Sequence, residues 1–143
     1  MTTTASESVR RDHWLRAVGY GLLAEVATII TIIAAALLHH YVFRRGLSDA
    51  EYAAFGEQAG AVLGVLAGTI FVYLFANFLM RRVTSNHVAH GLVVAVAAIA
   101  LSVGGSLAGH HGVPRAYLFA SLLKLVAGAF AGFRASNRRV AAV

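Results

Sequence analysis

Two charged side chains interrupt long apolar stretches of this sequence, and they are the residues with the clearest capacity for chemistry. Glu25 lies in the first apolar run and Lys124 in the last. A lone charge in the hydrocarbon layer is expensive, so such residues are usually paired or functional. Two interpretations stay open: a salt bridge that fixes helix order, or a proton- or substrate-coupling site. The salt bridge is favoured because mutual neutralisation removes the free carboxylate that a proton carrier needs.

The two charges are expected at the same depth. Glu25 lies nine positions after Arg16, and Lys124 lies ten positions before Arg134. At about 1.5 Å per residue, each charge is roughly 14–15 Å from the same surface, near the middle of a hydrocarbon layer about 30 Å thick. The sequence therefore predicts that Glu25 meets Lys124 and that the first and fourth helices are neighbours.

Histidines are the candidate metal ligands. Four of them are expected on adjacent loops at one end of the helices: His39, His40, His110 and His111. Imidazoles bind zinc, copper or nickel, but these histidines also suit pH sensing or a place among lipid headgroups. His87 and His90 share a helix face, have no third ligand nearby in sequence, and are expected to lie at the interface.

Glycines at a spacing of four mark a third kind of site, for helix packing. The strip in the second apolar run consists of Gly56, Gly60, Gly64 and Gly68, and Gly128 and Gly132 repeat the spacing once in the fourth. Residues four apart share a helix face, and small residues there let two helices approach closely. The strip predicts either a contact with another chain or tight packing within one bundle.

Four transmembrane helices must position these residues. Apolar runs long enough to span a bilayer cover about 17–38, 58–80, 88–108 and 116–133, within one domain at 13–134. Residues 1–12 are expected to form a disordered tail, and 135–143 a second tail. Ser48 and Glu51 form a capping-box pattern that predicts a helix starting near Asp49. Short connections predict an all-α, up-down four-helix bundle.

Composition excludes several classes of protein. Only 13% of the residues are charged and 59% are hydrophobic, whereas soluble domains carry about 25% charged residues. The net charge of +6 comes with no basic helix or aromatic-interleaved patch, so nucleic acid is not an expected partner. Cysteine is absent, which excludes disulfides and thiol chemistry. No enzyme motif is found, and neither enzymatic activity nor a cofactor is expected.

The arginines predict the orientation in a cytoplasmic (inner) membrane. With both termini in the cytoplasm, eight arginines lie on the inner side and three on the outer. The inner set is Arg10, Arg11, Arg16, Arg81, Arg82, Arg134, Arg138 and Arg139, and the outer set is Arg44, Arg45 and Arg115.

The segment Leu23-Ala24-Glu25-Val26-Ala27-Thr28 resembles the first helix of the small multidrug resistance transporters. That resemblance covers six residues and implies a dimeric four-helix protein in which Glu25 binds protons and cationic drugs in turn. The long first loop and Lys124 depart from the family's pattern.

The leading hypothesis is instead a non-enzymatic structural or accessory membrane protein that oligomerises, or packs on a partner membrane protein, through its glycine strip. A Glu25-based proton-coupled or cation transporter and an outer-face metal-binding protein are the alternatives.

Overall fold

Four long helices make up most of the part of the chain that the structure describes. The structure, a computed structural model, describes the backbone of residues 3–43, 46, 48–109 and 115–140. Side chains are described for residues 13–42, 46, 48–109, 115 and 117–138. The helices are α1 (Thr3–Leu38), α2 (Asp49–Met80), α3 (His87–Ala108) and α4 (Arg115–Val140), and a short π-helical segment, His39–Phe43, extends α1. All four contain a stretch long and apolar enough to cross a membrane.

The start of α2 confirms the expected capping box. The Ser48 hydroxyl accepts a hydrogen bond from the Glu51 amide at 3.4 Å, and the Ser48 amide donates to the Glu51 carboxylate at 2.9 Å. Two amide groups that the helix leaves unpaired at its N-terminus are thereby satisfied. From this cap α2 runs without interruption to Met80, so its first two turns belong to the same helix as the second span.

The other helix ends differ in detail from the expected bounds. α1 begins at Thr3, inside the stretch whose composition predicts a disordered tail, and α4 continues to Val140. The turn between α2 and α3 ends at Asn86, which has φ 54° and makes no side-chain cap hydrogen bond. The Asn86 carbonyl oxygen instead accepts the backbone amide of His90 at 3.1 Å.

The helices alternate in direction, as an up-down bundle requires. α1 packs against α2 and α3, and α4 packs against the same two helices, while α2 and α3 share a smaller contact. α1 and α4 therefore lie diagonally opposite each other in the bundle. The prediction that these two helices are neighbours is wrong. Matched depth in the sequence fixes the height of a residue along its helix, but it does not fix which helices are adjacent.

The buried core occupies one half of the bundle. We call this the terminal half, since α1 and α3 begin there and α2 and α4 end there, and we call the other half the distal half. Core side chains of the terminal half include Ala17, Val72, Leu79, Val94 and Ala131. In the distal half, none of the described residues in 29–42, 49–67, 99–109 and 117–119 is buried.

The outer surface of the bundle is apolar around most of its circumference. More than half of the side-chain surface is exposed at Ile30, Val62, Leu107, Leu118 and Val126, which lie on all four helices. A soluble protein rarely leaves apolar patches of that extent in contact with water. The chain is therefore a multi-pass membrane protein whose exposed faces meet lipid.

Candidate functional site: a buried ion pair between packed and unpacked halves

The structure brings Glu25 and Lys124 together across the centre of the bundle. The Lys124 Nζ donates a hydrogen bond to Glu25 Oε2 at 2.5 Å, and both side chains are more than nine-tenths buried. The two residues come from α1 and α4, the helices on the diagonal. The four-carbon stem of Lys124 thus crosses the interior so that its ammonium group reaches the carboxylate on the opposite helix.

Gly68 on α2 makes room for this crossing. A Cβ atom at residue 68 would lie 2.7 Å from Lys124 Cε and 3.6 Å from Thr28 Cγ2. Thr28 itself is buried, and its hydroxyl donates to the Ala24 carbonyl oxygen at 2.9 Å. The lysine stem therefore lies directly over bare backbone of α2, which a larger residue would displace.

The ion pair lies at the boundary between the two halves of the bundle. Of the described residues on the distal side of the pair, only Thr28, Gly68 and Ala120 are buried. On the terminal side the interior is filled mainly by alanine, valine and glycine. Two opposite charges in contact suit an interior from which water is excluded, provided that both stay paired.

The four glycines of the α2 strip have different surroundings. Gly68 packs inside the bundle, and Gly64 has a single neighbour, Ile32 Cδ1, at 4.0 Å from a built Cβ. At Gly56 and Gly60 an added Cβ would meet nothing within 4 Å. With 3.6 residues per turn, a spacing of four drifts by about 40° at each step. The strip therefore turns from the interior at Gly68 towards the flank of the bundle at Gly56.

The tightest helix contacts within the chain involve other glycines. A Cβ on Gly91 of α3 would overlap the carbonyl oxygen of Gly128 of α4, and a Cβ on Gly132 would lie 2.6 Å from Val88 Cα. Gly21 of α1 meets α3 in the same way, since its Cβ would lie 2.6 Å from Ala97 Cβ. Gly128 and Gly132 were expected to serve helix packing, whereas Gly91 had no repeated spacing to mark it.

The distal histidines lie against aromatic rings. His39 stacks on Phe55 with ring centroids 3.6 Å apart, and the His40 ring lies 4.3 Å from that of Tyr52. His110 and His111 lie outside the described residues. Within the part of the chain that the structure describes, no three His, Asp or Glu side chains are grouped so that they could hold a metal ion.

A second group of histidines lies at the terminal end, buried between helices. His87 and His90 of α3 are only 8% and 4% exposed. His90 stacks on Trp14 of α1 with ring centroids 4.1 Å apart and planes 16° apart, and His13 is the next ring, at 6.4 Å. Burial follows from α1 extending beyond its apolar run, so that His13 and Trp14 cover the start of α3.

Comparison with protein-family models, with curated proteins and with solved structures found no match. The resemblance to small multidrug resistance transporters therefore rests on the six residues around Glu25 alone.

Proposed function

We propose that the chain is a non-enzymatic structural component of the cytoplasmic membrane that assembles with a second copy of itself. The contact is formed by the distal part of the α2 glycine strip, Gly56 and Gly60, with Gly64 at its edge. Both termini face the cytoplasm, in keeping with the excess of arginine at the terminal end.

The observation that carries this proposal is the open space at Gly56 and Gly60. Helix association in lipid depends on close van der Waals packing, and small residues permit it. Within the described part of the chain, close contacts are made by Gly21, Gly68, Gly91, Gly128 and Gly132. Gly56 and Gly60 take no part in such a contact, so their spacing is left for a neighbour outside the chain.

The unfilled distal half supports the same proposal. Helices of a membrane protein gain stability from mutual packing. In the distal halves of these four helices, no described residue in 29–42, 49–67, 99–109 or 117–119 is buried. A second copy that packs against α2 in that half would supply the missing contacts. The buried ion pair then has a structural role, since it orders α1 and α4 across the bundle.

Mass measurement of the purified chain in mild detergent tests this function. We expect the wild type to be a dimer or larger, and Gly60→Leu to shift it towards the monomer because the leucine separates the two helices. Gly19→Leu is the matched control, since Gly19 also has no atom within 4 Å of a built Cβ but lies on α1. A monomeric wild type, or equal dissociation of both variants, would contradict the proposal.

A proton-coupled cation transporter is the second candidate. The position of Glu25 supports it, because the carboxylate lies where the packed half gives way to the unpacked one. A cation that entered from the distal side would compete with Lys124 for that carboxylate. The test is proton release when a lipophilic cation is added to the solubilised protein. Release that disappears in Glu25→Gln favours transport, and its absence in the wild type excludes it.

A further inference from the structure

The terminal end of the bundle holds an imidazole whose free nitrogen is buried without a partner. His90 Nδ1 lies 3.0 Å from the backbone carbonyl oxygen of Asn86, and a carbonyl only accepts hydrogen bonds. Nδ1 must therefore carry the hydrogen, and in the neutral ring Nε2 presents its lone pair. That Nε2 atom is buried and has no hydrogen-bond partner.

A second unpartnered nitrogen belongs to the neighbouring ring. His13 of α1 also has a buried Nδ1 without a hydrogen-bond partner, and its ring centroid is 6.4 Å from that of His90, at an interplanar angle of 84°. Buried polar atoms are almost always satisfied, so an unsatisfied one calls for an explanation such as a bound ion. Here two such nitrogens come from two helices that pack against each other.

We infer that His13 and His90 form a binding site for a divalent transition-metal ion of the zinc and copper class. Metal-binding histidines nearly always donate their second ring N–H to a carboxylate, a backbone carbonyl or water, which fixes the tautomer and the ring orientation. His90 has that arrangement, with the Asn86 carbonyl as the acceptor. Imidazole nitrogen is a preferred ligand of zinc, copper and nickel.

The distance between the rings suits one shared ion. With metal–nitrogen bonds of about 2.0–2.1 Å, and each ring centre about 1.1–1.2 Å behind its nitrogen, two imidazoles on opposite sides of an ion have ring centres roughly 6.4 Å apart. The observed 6.4 Å matches that distance, so the two rings can share an ion without a change in their separation. Among the described residues, His13 and His90 supply the two ligands, and water completes the coordination from the half-buried side of His13. The site is independent of the α2 glycine strip.

The stacked tryptophan provides a direct assay. Trp14 is the only tryptophan in the sequence, and its ring lies on that of His90. Cu²⁺ bound to His90 Nε2 quenches indole fluorescence at this distance. Titration of the full chain in detergent with Cu²⁺ is expected to give saturable quenching at one equivalent, and Zn²⁺, which does not quench, is expected to reverse it by competition.

Three variants separate this site from other histidines. His90→Phe keeps an aromatic ring on Trp14 and removes the ligand, so the saturable quenching should be lost, and His13→Phe should weaken the apparent affinity about tenfold or more. His40→Phe changes an exposed distal histidine and should bind as the wild type does. Unchanged elution on size exclusion shows that a variant is folded. Quenching without saturation in the wild type, or saturable quenching that persists in both His13→Phe and His90→Phe, would overturn the inference.

Discussion

Removal of one partner of the Glu25–Lys124 pair should destabilise the bundle far more than removal of both. The substitution Lys124→Met keeps the length and apolar character of the stem but deletes the ammonium group. The carboxyl group of Glu25, 4% exposed, then has no partner in an alanine- and glycine-rich interior. Loss of one member of a buried pair typically costs about 3–5 kcal/mol in the free energy of unfolding, because the remaining charge has no partner.

The magnitude follows from two opposing terms. At an effective dielectric constant of about 20, unit charges at the observed separation of 2.5 Å attract each other by roughly 6–7 kcal/mol. Transfer of two ions out of water costs several kcal/mol each. The pair as a whole is therefore close to neutral for stability. The double variant Glu25→Gln/Lys124→Met should accordingly lie within about 1–2 kcal/mol of the wild type.

Unfolding of the detergent-solubilised protein in increasing dodecyl sulfate, followed by circular dichroism, measures these differences. Arg138→Met is the matched control, since Arg138 is exposed at the end of α4 and its loss should change stability by less than about 0.5 kcal/mol. The reasoning is refuted if Lys124→Met costs less than about 1 kcal/mol, or if the cost of the double variant equals the sum of the two single costs.

Three further changes should have local effects that the same unfolding assay, or its thermal equivalent, detects. Gly91→Ala places a Cβ against the backbone of α4 and should cost about 1–3 kcal/mol, whereas Gly19→Ala meets nothing within 4 Å and should be neutral or slightly stabilising. Ser48→Ala removes the α2 capping box and should cost about 0.5–2 kcal/mol; no loss would show that the cap is dispensable. Tyr73→Phe deletes the hydroxyl that accepts a hydrogen bond from Arg134 at 2.5 Å, and because that bond is exposed, a cost above about 1.5 kcal/mol would contradict this interpretation.

The sequence predicted the spans and the height of each charge, because length and apolar runs are what a bilayer selects. It did not predict which helices are adjacent. In a soluble bundle the polar face of each helix reveals its buried side, but here lipid and core are both apolar, so the pattern carries little rotational information. The long side chain of Lys124 is a second reason, because it lets two diagonally opposite helices form an ion pair that shorter side chains could form only between neighbouring helices.

The residues that pack the helices together were also only partly predictable from the sequence. The regular spacing of Gly56, Gly60, Gly64 and Gly68 predicted a packing face, yet only Gly68 of that strip is buried within the chain. Gly91 carries one of the closest helix contacts, but its partner, Gly128, lies 37 positions later on another helix. His90 is a similar case, because nothing beside it in the sequence indicates that Trp14, 76 positions earlier, covers its ring. Contacts between distant segments leave no periodic trace in a single sequence.

Cross-linking in the native membrane is the most direct test of assembly through α2. The chain has no cysteine, so single cysteines can be introduced without further changes. Gly60→Cys lies on the proposed contact face, and Val62→Cys lies two positions away, on the opposite side of the helix, where Val62 is 57% exposed. Mild oxidation should produce a disulfide-linked dimer from Gly60→Cys and little or none from Val62→Cys. Absence of the Gly60→Cys dimer, or equal dimer from both variants, would contradict the account.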